Sequence, residues 1–278
     1  MRKVKIGAPG FILLNDMGKD MRGTLKKISE IGFDGIEITG FFGHSAEEIK
    51  NACAENNLEP FGCFVNLATL VGEKPPEVAG NWSEFANAFD IPGANNVDDA
   101  MKYIKDIGCK YIGLLVPKES PIEETVTRIG KASSLASKYG MAIQYHNHDY
   151  EYTNMNNGEY RMDYLLSNVP DEVLFEPDLG WMSIGGYKPE KAMEKYAKRI
   201  EVVHLKDYYR ENENYDITVE YKFRPTGYGV MDWARILPFC EKLIKPKWYV
   251  TDHDSAYEGD KFNELELSLN YVRNMIKL

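Results

Sequence analysis

The chain has 278 residues, 27% of them charged, and a net charge of −10. That length suits one α/β barrel able to bury a core without covalent staples, and the acidic balance disfavours a nucleic-acid partner, which would need a basic face. Cys53, Cys63, Cys109 and Cys240 contain no close metal-ligand pair and are too few for a disulfide scaffold, so they read as thiols of a reducing cytoplasm.

The opening MRKVKIGAPGFILLND lacks a long apolar run with a small-residue cleavage site, and VKIGAP within it predicts a first strand rather than a signal peptide. No stretch reaches the ~18 apolar residues of a membrane span, so no membrane partner is expected. In MRGTLKKISEIGF, Met21, Leu25, Ile28 and Ile31 fall at helical spacing and Gly32 closes the helix. DGIEI, from Asp34, is the second strand, and SAEE, from Ser45, opens a helix with a capping-box pattern. PFGCFVNL is the third strand, followed by an irregular segment, 68–96. The helices VDDAMKYIKDIG, IEETVTRIGKASSLASKYG, YRMDYLLSNV and PEKAMEKYAKR then alternate with the strands KYIGLLV, MAIQYH, EVLFEPD and IEVVHLKD. After a second long loop come the helix DWARILPFCEKL, the strand KWYVTDHD and a last helix, NELELSLNYVRNMI. Eight alternating pairs imply parallel strands with crossover helices. Over this length they predict an α/β fold of the closed (β/α)8 type, a single domain over 1–278. GAPGFILLND is a poor match to the glycine-rich phosphate turn of an open sheet.

In such a barrel the chemistry gathers at the C-terminal ends of the strands. The fifth strand ends in His146, with His148 beyond it; the sixth ends in Glu176 and Asp178; the seventh in His204, Lys206 and Asp207; the eighth in Asp252, His253 and Asp254. Side-chain alternation groups His146 with Ala142 and Gln144, Glu176 with Asp178, His204 with Lys206, and Asp252 with Asp254. Ile143, Tyr145, Phe175, Val203, Leu205 and Val250 are assigned to the outward face. Two imidazoles and two carboxylates from four strands, His146, Asp178, His204 and Asp252, form a set for one divalent Mn2+, Zn2+, Fe2+ or Co2+ rather than Ca2+. Such an ion can fix vicinal sugar oxygens and polarise a carbonyl. Taken singly, the same residues also read as hydrogen-bonded strand-end histidines and helix N-caps, Asp207 among the caps. Lys206 reads either as the ion-pair partner of Glu176 or as a group that grips a substrate hydroxyl or acts as a base.

GFDGIEI, GMAIQYHNHDYEY, FEPDLGWM, VVHLKD, GYGVMDW and KWYVTDHD, in this order across nearly the whole chain, resemble the sugar phosphate isomerase/epimerase-like, or xylose isomerase-like, TIM barrels, with D-tagatose 3-epimerase and inosose dehydratase among the relatives. The resemblance implies one metal held by Glu, Asp, His and Glu. Asp178 and His204 stand at the Asp and His positions, while His146 and Asp252 replace the two glutamates. A relay between two metal-bound glutamates then gives way to a single base, with Asp252, His148, Lys206 and Glu151 as candidates. Trp181 stands near a substrate-contacting position and offers a ring face to a sugar, or packs as a core residue below the site. Glu37 is a candidate acceptor for a substrate hydroxyl. Arg210 is a candidate partner for an anionic substrate group, or a solvated loop residue.

The expected activity is a divalent-metal isomerase or epimerase acting on a sugar, sugar derivative or cyclitol through an enediolate. A dehydratase or 3-keto-glycoside lyase on the same site is the alternative, and a non-catalytic sugar-binding barrel is another. The nuclease branch of the family is disfavoured by the acidic charge and the five histidines. The loops after the third and seventh strands are rich in aromatic residues and read as a lid or as the contact of a homo-oligomer.

Overall fold

In the computed structural model, which describes residues 4–75, 88–155, 157–210, 223–257 and 259–276, all eight expected strands form. In chain order they are β1 (Lys5–Pro9), β2 (Gly35–Thr39), β3 (Glu59–Asn66), β4 (Tyr111–Leu115), β5 (Ala142–His146), β6 (Leu174–Glu176) and β7 (Val202–His204), then a two-residue hairpin of β8 (Asp207–Tyr208) and β9 (Phe223–Arg224), then β10 (Trp248–Val250). The barrel order is β6-β5-β4-β3-β2-β1-β10-β7, with every neighbouring pair parallel. The ring closes between β6 and β7 through one parallel bridge, Asp178 to His204, in which the His204 N–H donates to the Pro177 carbonyl at 2.9 Å. Each other neighbouring pair shares at least three register positions.

Helices α1 (Leu14–Ile31), α2 (Ala46–Glu55), α3 (Leu67–Leu70), α4 (Val97–Ile107), α5 (Ile122–Lys138), α6 (Arg161–Asn168), α7 (Leu179–Ile184), α8 (Pro189–Tyr196), α9 (Trp233–Leu243) and α10 (Lys261–Met275) accompany the strands. The Ser45 capping box starts α2: its hydroxyl accepts from the Glu48 N–H at 3.2 Å and the Glu48 carboxylate accepts from the Ser45 N–H at 2.7 Å. α1 begins earlier than its apolar spacing predicts, because a first segment joins the second across a kink at Asp20 (φ −153°, ψ 83°). There the Asp20 carboxylate accepts from the Gly23 N–H at 2.9 Å, restarting the helix where the periodicity begins. Among the described residues no helix is long and apolar enough to cross a membrane. Residues 76–87 and 211–222 of the aromatic loops after β3 and β7 lie outside the described residues, and with them part of the lid or oligomer contact expected there.

Two cores result. Ile143, Tyr145, Phe175, Val203 and Leu205 face the helices and join the large outer core, as their alternation predicts. Inside the barrel, Phe61, Tyr111, Val202, Trp248 and Val250 fill the lower layer, with the Phe61 and Trp248 rings stacked at 4.0 Å. Val250 therefore corrects its outward assignment: it shares parity with Asp252 and points inward one pleat below it. β1 and β2 carry glycine at this level because a Cβ on Gly7 would sit 2.4 Å from the Phe61 ring, and one on Gly35 2.8 Å from the Trp248 ring.

Candidate metal centre

The inward positions above this apolar layer are polar. Gln144 Nε2 donates to Glu37 Oε1 at 3.2 Å and to Glu176 Oε1 at 2.5 Å. His204 Nε2 lies 2.9 Å from Glu37 Oε2 and 3.2 Å from Glu176 Oε1, while its Nδ1 lies 3.2 Å from Asp252 Oδ2. His204 thus stands between two sets of acids, one below it and one at the mouth. One ligand atom from each of His146, Asp178, His204 and Asp252 lies within 4.8 Å of all the others, and Glu37, Glu176 and His204 form a second such group. His146 Nδ1 is 3.6 Å from Glu176 Oε2 and its Nε2 is 3.8 Å from Asp178 Oδ2. Local structure explains these positions. Asp178 accepts from the Trp181 N–H at 2.8 Å and so caps α7, a helix that the sequence does not announce. Its own N–H donates to Asn147 Oδ1 at 3.0 Å, which ties the end of β6 to the end of β5.

Lys206 does not pair with Glu176. Its ammonium is 2.9 Å from Asp252 and 3.7 Å from Asp178, and it donates to Asp254. The reason is depth: Glu176 sits a pleat lower, where Gln144 and His204 both meet its Oε1. Burial alone would pull Lys206 down, but Asp252, Asp254 and Asp178 outweigh it and keep the amine a cation, above its usual range. Asp252 shows the converse: burial opposes its charge, yet Lys206 and His204 hold it well below the carboxylate range. Burial holds His146 well below the imidazole range, helped by His204 and His148, so it is neutral with a free lone pair. For His204, burial is outweighed by Glu176, Glu37 and Asp252, which push it well above that range. Burial raises Asp178 to about 7 against the pull of Lys206, and raises Glu176 well above its usual value, with Glu37 adding to the rise.

The residues present fit a divalent cation. Buried Glu37, Glu176, Asp178 and Asp252 face one buried lysine, an imbalance that the folded chain meets with protons on carboxylates or with a metal. His146 Nδ1, Glu176 Oε2 and Asp178 Oδ2 are buried without a hydrogen bond. A neutral imidazole and carboxylates in one cluster are the donors that first-row divalent ions take.

A cavity of about 420 Å³ opens over the cluster. Of the sequence candidates, Glu37, His146, His148, Trp181, His204 and Asp252 line it. Asp178 and Lys206 touch these side chains without forming part of the wall. Glu151 is fully buried away from it; its carboxylate accepts from the Tyr145 hydroxyl at 2.8 Å and from the His148 N–H at 2.7 Å. Arg210 is not part of the wall either, its guanidinium lying 5.7 Å from the Tyr208 ring. His148 stacks on Tyr150 at 5.4 Å, burial keeps it below the usual imidazole range, and its Nδ1 has no hydrogen bond. Trp181 lines the cavity and also lies 5.4 Å from the Lys206 ammonium. Sequence reasoning grouped Asp254 with Asp252 by parity but gave it no role; it lines the cavity and holds Lys206. Sequence reasoning passed over Phe64, which stands edge-on to His146 and His204 at 5.5 and 6.4 Å.

A family model for the xylose isomerase-like TIM barrel matches residues 25–246. An inosose dehydratase of Geobacillus kaustophilus (strain HTA426) is 30% identical over 204 residues, which are 66% of this chain and 60% of that protein. The chain thus spans less than two thirds of the length of that relative. Among solved structures, a sugar phosphate isomerase/epimerase from Parabacteroides distasonis ATCC 8503 superposes with a TM-score of 0.71 at 21% identity, covering 97% of each chain. The probable 3-DHS dehydratase of Bacillus anthracis superposes with a TM-score of 0.68 at 12% identity, covering 96% of this chain and 98% of that one. These two likenesses are of fold.

Proposed function

The chain belongs to the xylose isomerase-like TIM barrel family, and from that premise we propose that it is a divalent-metal enzyme that moves a proton beside the carbonyl of a sugar, sugar derivative or cyclitol. The observation that carries this reading is the buried cluster of His146, Asp178, His204 and Asp252, rich in acid and opening on a cavity. These four residues would hold the ion. When bound, the ion supplies a Lewis acid for the carbonyl and adjacent hydroxyl oxygens.

The remaining roles follow from the side chains. His148 lines the cavity as a neutral imidazole outside the metal set and takes the proton, leaving an enediolate. Asp252, pinned by Lys206 and His204, serves as a ligand rather than a base. Lys206 supplies fixed positive charge, and Glu151 holds the backbone of His148 in place. Glu37 accepts a substrate hydroxyl, and Trp181 offers an apolar ring face. Return of the proton to the other face or to the neighbouring carbon gives epimerisation or isomerisation. A second reading, elimination, is supported by His148 being, among the described residues, the one lining imidazole outside the metal set and by the name of the inosose dehydratase relative: the same base removes the proton and the β-substituent departs. The four free, buried cysteines support a reducing, cytoplasmic setting.

The test is metal content of the purified protein beside Asp178→Ala and His204→Ala, together with solvent-deuterium exchange into a panel of keto-sugars and inososes. Near-stoichiometric Mn, Zn, Fe or Co is expected in the parent and lost in both variants. His148→Gln is expected to keep the metal and lose exchange by roughly 10²-fold or more. A parent that takes up no metal after reloading sinks the proposal, and metal with saturable sugar binding but no exchange identifies a binding barrel instead.

A further inference from the structure

The wall of the cavity is divided. The side built from the ends of β5 to β7 and the segment after β10 carries His146, His148, Trp181, His204, Asp252 and Asp254, whereas the side built after β1, β3 and β4 carries Phe11, Phe64, Phe89, Leu114, Leu115 and Val116. Phe64, Phe89, Leu115 and Val116 are only half-buried, so they present apolar surface to the cavity. Among the described residues, polar groups on that side are few. Glu37, Thr39 and Asn66 are there, the Asn66 side-chain Oδ1 already accepting from the Ala68 N–H at 3.0 Å, and exposed Asp90 also lines the cavity. A free sugar seated on the metal centre would turn its far hydroxyls onto phenylalanine and leucine, stranding them without partners.

Charge is divided as well. Among the described lining residues there is no lysine or arginine, while Glu37, Asp90, Asp252 and Asp254 are all acidic. Lys206 is occupied by three carboxylates. Lys118 is exposed and lies 5.4 Å from the Tyr150 ring. In sequence, the stretch 76–87 contains no basic residue and 211–222 contains only Lys222. A phosphate dianion calls for arginine, lysine or a run of free N–H groups, and would here meet carboxylates.

Resting on the metal–sugar reading above, we propose that the substrate is an uncharged sugar or cyclitol carrying an apolar, aryl-sized substituent, with the polar ring on the metal centre and the substituent against the phenylalanine wall, and that phosphorylated sugars are excluded. Pockets of this volume hold a ligand of two such parts, and the edge-on approach of Phe64 to both imidazoles puts the start of the apolar wall beside the reacting ring.

Calorimetric titration of the metal-loaded full chain tests this with the methyl and phenyl β-glycosides of glucose, galactose and mannose and with the 6-phosphates of the three free sugars. For at least one sugar, the phenyl glycoside is expected to bind tenfold or more tighter than the methyl glycoside, and every 6-phosphate tenfold or more weaker than the methyl glycoside. In Phe64→Ala and Phe89→Ala the phenyl preference is expected to shrink to about threefold or less. If methyl and phenyl glycosides bind equally, or a 6-phosphate binds best, this inference is overturned while the metal–sugar reading stands. If no glycoside binds the loaded protein, this inference is overturned, while the metal–sugar reading stands or falls on metal content and on exchange into the keto-sugars and inososes.

Discussion

Asp207 organises the loop after β7. Its Oδ1 accepts from the Tyr208 and Met231 N–H groups at 2.9 and 3.1 Å, and its Oδ2 from the Gly227 and Gly229 N–H groups and the Trp233 indole at 3.0, 3.1 and 2.7 Å. An amide cannot accept on both sides, so Asp207→Asn is expected to cost about 2–4 kcal/mol, read by urea unfolding. Glu151 is the residue with a pH signature clear of the metal cluster. Burial pushes its carboxyl up to about 7, against about 4.5 in the unfolded chain, with the His148 N–H and Tyr145 hydroxyl pulling the other way. The fold therefore holds this proton more tightly than the unfolded chain does. Its contribution to stability is largest below pH ~4.5 and falls by roughly 3 kcal/mol as pH rises through ~7. The stability gap between wild type and Glu151→Gln should shift by that amount in the variant's favour across this window; a flat difference would refute the raised value. At this scale parity was the useful signal: it put His146, Asp178, His204 and Asp252 on one side without any contact being known. What parity could not supply was depth, so Glu176 was matched to Lys206 although it lies a pleat lower. Asp207 likewise resembles a helix cap in sequence, yet the next helix, α9, is capped by Asp232, and apart from the neighbouring Tyr208 N–H the hydrogen bonds to Asp207 come from residues 20 to 26 positions further on.

The strands were legible because a parallel sheet covered on both faces needs nearly continuous apolar runs, and the long helices because their apolar spacing was sustained. Short elements had too few residues to show a period: α7 is six residues and the β8–β9 hairpin two per strand. The lower interior layer carries a prediction for the element as a whole. β1 and β2 approach the barrel axis without side chains at Gly7 and Gly35, leaving room for the Phe61–Trp248 stack. Gly7→Ala is expected to destabilise by about 1–3 kcal/mol through overpacking. Adding Phe61→Leu should recover part of that loss, which a double-mutant cycle by thermal unfolding would reveal as coupling between β1 and β3.

Across the molecule, the narrowest connection in the barrel coincides with the proposed metal site. β6 and β7 meet through the single bridge of Asp178 with His204, two of the four groups assigned to the metal. An ion shared by residues from β5, β6, β7 and the segment after β10 would tie that seam from within. Chelation should therefore lower the unfolding temperature, and reloading should restore it in a concentration-dependent way, by about 2.7 kcal/mol at a hundredfold excess over Kd. Amide protons along β6 and β7 should exchange faster in the chelated protein than those of β2 and β3, which share five register positions. The seam also bears on how long the protein survives. A barrel that opens first between β6 and β7 offers proteases their earliest entry there, so its lifetime in a cell would track ion supply as well as its own sequence. Starvation for the metal would then remove the protein itself, with clearance following loss of activity.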